Sequence, residues 1–240
     1  WADQDDRPGS MVLPGYSPDT YFTSDQGIMQ TLVAISGASG RTGYRIAEEA
    51  LARGRAVRLL VRSTSKLPPS LAGCDIRRLD FGRLSQLVEA LRGCHSLVMA
   101  TGARPSVNLL GPFQVDTQAV QRQVQACRQA GVGRVLLVSS LCSGQLWHNL
   151  NLFGLILVCK RWGEEALESS GLDWTVVRPG GLKEAEADPE QQELVVSGAN
   201  TQRQGTIPRR LVARYCLECL DTPSTVHQVL EITSTPRQAP

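Results

Sequence analysis

Three glycines, Gly37, Gly40 and Gly43, stand three residues apart in the stretch ISGASGRTG, between the apolar run TLVA and the segment YRIAEEALAR, whose apolar residues have helical spacing. A strand that turns into a helix in this way leaves free N–H groups at the positive end of the helix dipole, and a missing Cβ lets a phosphate reach the backbone. Ser39, Arg41 and Thr42 complete the loop. The same three glycines would also serve a tight turn with a close helix–strand contact, so the loop alone leaves both readings open. Other residues able to do chemistry follow at intervals: Asp80 and Phe81, the small run Ala100, Thr101 and Gly102, the pair Ser139 and Ser140, His148, Lys160, and Pro179 with Gly180.

The elements that must position these residues alternate in period. Short β-rich runs, TLVAIS (31–36), AVRLLVR (56–62), DIRRLD (75–80), SLVMAT (96–101), RVLLVSS (134–140) and WTVVRP (174–179), are separated by YRIAEEALAR, LSQLVEALRG, VDTQAVQRQVQACRQAG and LILVCKRWGEEALESSG, all with helical spacing. Strand then helix, repeated, predicts an α/β fold with a doubly wound parallel sheet, its strands apolar because helices cover both faces. After Pro179 the pattern loosens into a short strand ELVVSG, a helix opened by Pro208 and a last strand VLEITS, a small region suited to a substrate or partner. Residues 29–236 are expected to form one domain. Residues 1–28 are expected to lie outside it as an extension or tag, with neither a signal-peptide core nor a transit-like composition.

A chain of 240 residues can bury roughly 70–75% of its unfolded surface, so a full core is available. With 25 Lys and Arg against 23 Asp and Glu there is no strong positive field, which argues against nucleic acid and favours small-molecule chemistry. No apolar run reaches the ~18 residues of a membrane span, although LNLFGLILV could serve a partner or a membrane edge if it is not the buried face of a helix. Seven scattered cysteines predict reduced thiols in a cytoplasmic or plastid-stroma-like compartment. The single CxxC, CLEC at 216–219, reads as core packing, and no metal site is expected.

GASGRTG together with LVRS, LDF, VLLVSS, LVCKRWGEEALESSGLDWTVVRPGGL and GTIPRRLVA resembles the atypical short-chain dehydrogenase/reductases, in the NmrA-like branch of NAD(P)-binding proteins. Within it the chain is similar to the plastid and cyanobacterial-type members and, more distantly, to biliverdin-IXβ (flavin) reductase, over about residues 31–235. The resemblance implies a Rossmann sheet whose second strand ends at the adenosine ribose. A carboxylate there would select NAD, and this chain has Arg62, with Arg41 in the glycine loop able to add a second positive charge, so NADP(H) is favoured over NAD(H). Asp80 resembles the family aspartate that meets the adenine amino group, with Phe81 beside the base, or it is an N-cap for the helix that follows. Ala100, Thr101 and Gly102 would line the passage of ribose and nicotinamide, and Pro179 and Gly180 would also belong to the cofactor site. Lys160 would hold the nicotinamide ribose, with Ser139 and Ser140 orienting a carbonyl or the carboxamide, unless Lys160 lies on an exposed helix face.

The chain departs from the family pattern at the proton donor. Four residues before Lys160, where short-chain reductases carry tyrosine, stands Ile156. His148 is the one histidine near the expected substrate mouth that could replace it. Two function classes therefore survive. One is an NADPH-dependent oxidoreductase passing hydride to a flavin- or quinone-like small molecule that takes its proton from water. The other is a non-catalytic NADP(H)-binding redox sensor or assembly factor acting on a protein partner, with peripheral membrane association left open.

Overall fold

The structure, a computed structural model, describes residues 22–23, 29–102, 113–143, 156–183 and 189–237, with backbone alone for 22–23, 29–30 and 113–115. Ten strands and five α-helices are numbered here: β1 (Val33–Ser36), α1 (Gly43–Ala52), β2 (Val57–Val61), β3 (Asp75–Arg78), α2 (Leu84–Leu91), β4 (Ser96–Met99), α3 (Ala119–Ala130), β5 (Arg134–Val138), α4 (Ile156–Glu168), β6 (Asp173–Pro179), β7 (Gly181–Lys183), β8 (Gln192–Gly198), β9 (Thr206–Pro208), α5 (Arg209–Asp221) and β10 (Gln228–Pro236). Phe22–Thr23 pairs with Met29–Gln30 in a separate two-stranded ladder.

The main sheet runs β8-β10-β6-β5-β4-β1-β2-β3. Every described pairing in it is parallel except that of the edge strand β8, which lies antiparallel to β10. The chain builds outward from β1 to β3 and then returns to place β4 on the other side of β1. A crevice follows at the carboxyl ends of β1 and β4, because their connections leave in opposite directions.

Side-chain alternation divides the core into two layers. Val33 and Ile35 of β1, Leu59, Val98, Leu136 and Val177 face α1 and α5, burying Ile46, Ala50, Val212 and Leu217. Ala34, Leu60, Leu97, Met99, Leu137 and Val176 face α2, α3 and one turn of α4, burying Leu87, Val124, Cys127 and Leu167. Both faces are therefore dry, which is why these strands read as continuous apolar runs.

At the end of the sheet opposite the crevice, two buried arginines close helix C-termini. Arg58 donates to the carbonyls of Ala90 (3.1 Å) and Arg92 (2.8 Å) at the end of α2 and pairs with Asp75 at 2.7 Å. Arg134 donates to Cys219 O (2.8 Å) at the end of α5 and to the hydroxyls of Thr175 and Thr225. A cation at the negative end of a helix answers carbonyls that have no partner within the helix.

Three features depart from the periodicity. The helix expected to begin near Val115 opens as a wide π turn, Phe113–Gln118, before α3. A short parallel ladder joins β7 to β9, and β8 runs against its neighbour. Cys216 and Cys219 are buried in α5, as core packing requires.

Candidate functional site

The glycine loop joins β1 to α1, and its three glycines have different reasons to be glycine. Gly37 has φ +80°, and a Cβ on it would stand 2.7 Å from the carbonyl oxygen of Ala100, because the two strand ends are still held together there, Ala100 N–H donating to Ser36 O at 3.0 Å. A Cβ on Gly43 would collide with the carbonyl of Gly37, so the first turn of α1 sits directly on the loop. These two are fixed by the fold itself. Gly40 meets only the Gly37 oxygen, at 3.1 Å from an added Cβ, and it donates its own N–H to that oxygen at 2.8 Å. Gly40 thus faces open space in front of α1. That helix begins with neither a side-chain cap nor an acidic residue in its first turn, the condition in which an anion completes a helix N-terminus.

Past the loop, three hydroxyls lie at the carboxyl ends of adjacent strands. Ser36 Oγ on β1, Thr101 Oγ1 after β4 and Ser139 Oγ after β5 are buried, and none has a hydrogen-bond partner among the described residues. Buried hydroxyls are nearly always satisfied, and three of the six buried side-chain atoms left unsatisfied among the described residues stand in this row beside a phosphate-type loop, open to a polar ligand's hydrogen bonds. A dinucleotide fits this surface: its pyrophosphate would lie over Gly40, and its polar groups would meet the three hydroxyls.

Lys160 reaches the same crevice. Its side chain is 13% exposed and donates to Asp116 Oδ1 at 2.9 Å, with Asp116 at 2% exposure. A Cβ on Gly102 would stand 3.4 Å from Lys160 Nζ. The exposed-face alternative for Lys160 is therefore overturned: α4 turns this side chain inward against the π turn. Ser140 is half-buried beside Ser139, and Ile156, four residues before Lys160, is buried and apolar.

On the other flank, Arg62 is exposed just past β2, and its carbonyl accepts from Ser65 N–H at 3.0 Å. Arg78, opposite Val61 in register, donates to the carbonyls of Ser63 (3.1 Å) and Ser65 (2.9 Å), so the turn that carries Arg62 is pinned to β3. Arg41 is also exposed, in the glycine loop, where its carbonyl accepts from the buried Arg45 at 2.6 Å.

Asp80 does not stand at the N-cap of α2, which is Arg83, so the capping alternative fails as stated. Its carboxylate instead accepts from Gly82 N–H at 2.8 Å, and its own N–H donates to Gln86. Phe81 is half-buried against the layer that contains α2. Gly180 has a reason within the fold, since an added Cβ would stand 2.6 Å from the carbonyl oxygen of Gly205; Pro179 O accepts from Leu141 N–H at 3.0 Å. Ser39 and Thr42 are half-buried in the loop. His148 lies outside the described residues.

No thiol is primed for attack. Burial raises Cys142 and Cys159 above the ordinary range and pushes Cys94 and Cys219 up to about 11, which keeps them protonated at neutral pH. Among the described residues no cluster of His, Cys, Asp and Glu could hold a metal ion, and no helix is long and apolar enough to cross a membrane.

Sequence reasoning missed Asp116 altogether. It also gave no physical reason for Glu164 in the stretch LVCKRWGEEALESSGLDWTVVRPGGL. Glu164 is fully buried and receives Arg178 through both carboxylate oxygens, Nε at 3.1 Å and Nη2 at 2.7 Å. Arg178 Nη1 also pairs with buried Glu231 at 3.3 Å, and Glu231 accepts the N–H groups of Asn200, Thr201 and Gln202. Glu164 and Arg178 of that stretch thus form, with Glu231, a buried ion network behind the crevice.

A glycine loop opening into an uncapped helix, at the switch point of a doubly wound sheet, defines a dinucleotide-binding protein of the Rossmann class. The chain belongs to the NAD(P)H-binding family, which matches residues 37–223. It is 36% identical over 216 residues to an uncharacterised chloroplastic protein of Arabidopsis thaliana, covering 84% of this chain and 76% of that one. With the chloroplastic protein TIC 62 of Oryza sativa it shares 31% identity over 206 residues, 76% of this chain but only 41% of the longer relative. An anaerobilin reductase from Escherichia coli O157:H7 has the same fold, with TM-score 0.70 and 24% identity over 88% of this chain and all (100%) of that one. The NAD(P)-binding family and the Rossmann fold expected from the glycine loop are thus those of this chain.

Proposed function

We propose that this chain binds NADP(H) across the carboxyl ends of β1 and β4 and passes hydride to a flavin- or quinone-like acceptor. The observation that carries the reading is the row of unpartnered buried hydroxyls, Ser36, Thr101 and Ser139, beside the glycine loop. In this reading residues 29–236 are the cofactor-binding domain and residues 1–28 lie outside it. The pyrophosphate rests on the loop from Gly37 to Gly43, including Ser39, Arg41 and Thr42. Adenosine reaches the flank of Arg62, Asp80 and Phe81; the nicotinamide end reaches Ala100, Thr101, Gly102, Ser139, Ser140 and Lys160, with Pro179 and Gly180 behind it.

Arg62 stands where a carboxylate would have refused the extra phosphate of NADP, and a guanidinium can fork onto that phosphate. Arg62→Ala is expected to weaken NADPH roughly ten- to a hundred-fold, the loss of one charge-assisted contact, with NADH little changed. Titration by nicotinamide fluorescence measures both, and equal affinities of the unaltered protein for the two cofactors would refute the preference.

The bound cofactor supplies the hydride. What the chain supplies is orientation, since Ile156 puts a buried hydrocarbon where a phenol would donate a proton. General acid assistance is typically worth 10²- to 10⁴-fold, so plain ketones and aldehydes are expected to be reduced very slowly, while flavins and quinones, which can take a proton from water, turn over. Steady-state NADPH oxidation against a panel of these acceptors tests the reading. Lys160→Ala should weaken cofactor binding in a protein that stays folded. Rapid turnover of a plain ketone would overturn the acceptor class; if it is lost in His148→Ala, that histidine is the donor.

The apolar Ile156 also favours a second reading, a non-catalytic NADP(H)-dependent sensor or assembly factor, to which the likeness to TIC 62 adds support. Tight NADPH binding without turnover on any acceptor would select it. The chloroplastic relatives support a plastid stroma as the reducing compartment, with a protein partner or a membrane periphery as the docking target in this second reading.

A further inference from the structure

The π turn before α3 is fastened to α4 at three consecutive levels. Thr117 Oγ1 donates to Cys159 O at 2.9 Å, Asp116 accepts from Lys160 at 2.9 Å, and Gly163 lets the backbone approach, since any Cβ there would collide with the carbonyl of Asp116. A lysine side chain has three N–H donors and many rotamers. Here one donor is committed to a carboxylate that is itself 2% exposed, which holds the ammonium at a single place with its other two donors without acceptors among the described residues. The adjacent backbone is Gly102, exposed at the exit of β4, whose missing side chain leaves Nζ 3.4 Å and Asp116 Oδ1 3.8 Å from where a Cβ would be. No backbone clash and no positive φ requires glycine at that position. Its smallness opens the buried pair to the crevice.

We propose that Asp116 is the positioning residue for Lys160 and that Gly102 is the window through which the pair meets the ligand. An ammonium held by one carboxylate, with two donors left over among the described residues, suits neighbouring hydroxyl groups such as the vicinal diol of a ribose. This rests on the cofactor reading above and assigns the pair to the nicotinamide half of the dinucleotide. Fixing the lysine in advance spares the complex part of the side-chain ordering that binding would otherwise cost.

The test compares two probes, NADPH and adenosine 2′,5′-bisphosphate, which carries the adenosine phosphates but lacks the second ribose and the nicotinamide. Dissociation constants are measured for the unaltered protein, Asp116→Asn, Asp116→Ala and Gly102→Val, with thermal unfolding as the check on folding. Asp116→Ala is expected to weaken NADPH about ten-fold or more, Asp116→Asn less because its amide oxygen can still accept from the ammonium, and Gly102→Val about as much as Asp116→Ala. The adenosine fragment should bind all four proteins within about two-fold. A parallel loss for both probes would mean that Asp116 only holds the fold together, and unchanged NADPH affinity in Asp116→Ala and Gly102→Val would remove the pair from the site; either result overturns the proposal. Should Asp116→Ala not fold, Gly102→Val, at an exposed position, decides alone. Absence of NADPH binding by the unaltered protein would instead overturn the cofactor reading itself, and this assignment with it.

Discussion

Gly40→Val is expected to abolish binding of NADPH and NADH alike while the protein remains folded, whereas Gly43→Val is expected to prevent folding. The two glycines belong to one loop, and a loop that were only a turn would not separate them. A Cβ on Gly43 runs into the carbonyl of Gly37, and on Gly37 it would need φ +80° and a position 2.7 Å from Ala100 O. Neither backbone can move without parting β1 from β4 or α1 from the sheet. Such overpacking with strained backbone costs at least ~3 kcal/mol, a large share of a domain's stability. At Gly40 the nearest atom to an added Cβ is one oxygen at 3.1 Å, and no positive φ must be kept. Relief there needs only a few tenths of an ångström, and a stiffer unfolded chain offsets part of the cost, so the unfolding midpoint should stay within about 5 °C.

The valine methyls of that variant would instead fill the space in front of α1, where two or more charge-assisted contacts of ~1.5–3 kcal/mol each would form with a pyrophosphate. Their loss corresponds to at least about a hundred-fold in affinity. Fluorescence titration with both cofactors, alongside a thermal melt, gives the answer. Unchanged affinity in a folded Gly40→Val protein would show that the loop is a turn and nothing more.

The glycine pattern could be located from sequence because it sits where the hydrophobic period changes, yet the division of labour among its glycines could not. That division depends on β4, whose Ala100 carbonyl defines one wall and lies some sixty residues away in the chain. The parallel strands were legible for a related reason: Val33, Leu59, Val98 and Leu136 are buried against helices, as are their neighbours on the opposite face, so each strand is a plain apolar run. Edge strand β8 was legible as the short strand ELVVSG, but its antiparallel direction and edge place were not, since one side of it has no neighbour in the sheet and Val195 and Val196 are both exposed. The π turn at 113–118 was read as α-helix because VDTQ is compatible with either hydrogen-bond spacing, and the choice is made by contact with α4 through Gly163. Asp116 was missed with it. A carboxylate preceding a helix has many ordinary uses, and only the inward turn of Lys160 gives this one a role.

Among substitutions that leave the protein folded, the largest effect on stability is expected at Arg178, where replacement by methionine would leave two buried carboxylates facing each other. Arg178 is 2% exposed, Glu164 0% and Glu231 1%. The guanidinium pairs with both, and half-buried Arg161 reaches Glu164 from the surface at 3.2 Å while also holding Glu168. Breaking a buried pair by removing one partner costs about 3–5 kcal/mol, and here the group removed serves two anions, so the upper end applies. For a domain of this size that is a fall of roughly 10–20 °C in the unfolding midpoint. Glu164→Gln should cost less, because Arg178 keeps Glu231 and its amide oxygen can still accept.

The sign with pH follows from the charges. With Arg178 gone, protonating a buried carboxylate relieves both its burial and its repulsion from the other, so the folded variant takes up protons more readily than the unfolded chain. Its deficit relative to the unaltered protein should therefore be larger at pH 8 than at pH 5. The damage should also extend toward the crevice, since Glu231 holds the N–H groups of Asn200, Thr201 and Gln202, and the carbonyl of Gly205 a little further on closes against Gly180. Melting curves at the two pH values for Arg178→Met, Glu164→Gln and the double variant Glu164→Gln/Arg178→Met measure these terms. The double variant should recover part of the loss, having one buried charge where Arg178→Met has two. A deficit that does not change with pH, or a double variant no more stable than Arg178→Met, would mean that arginine acts here through its packing and not through its charge.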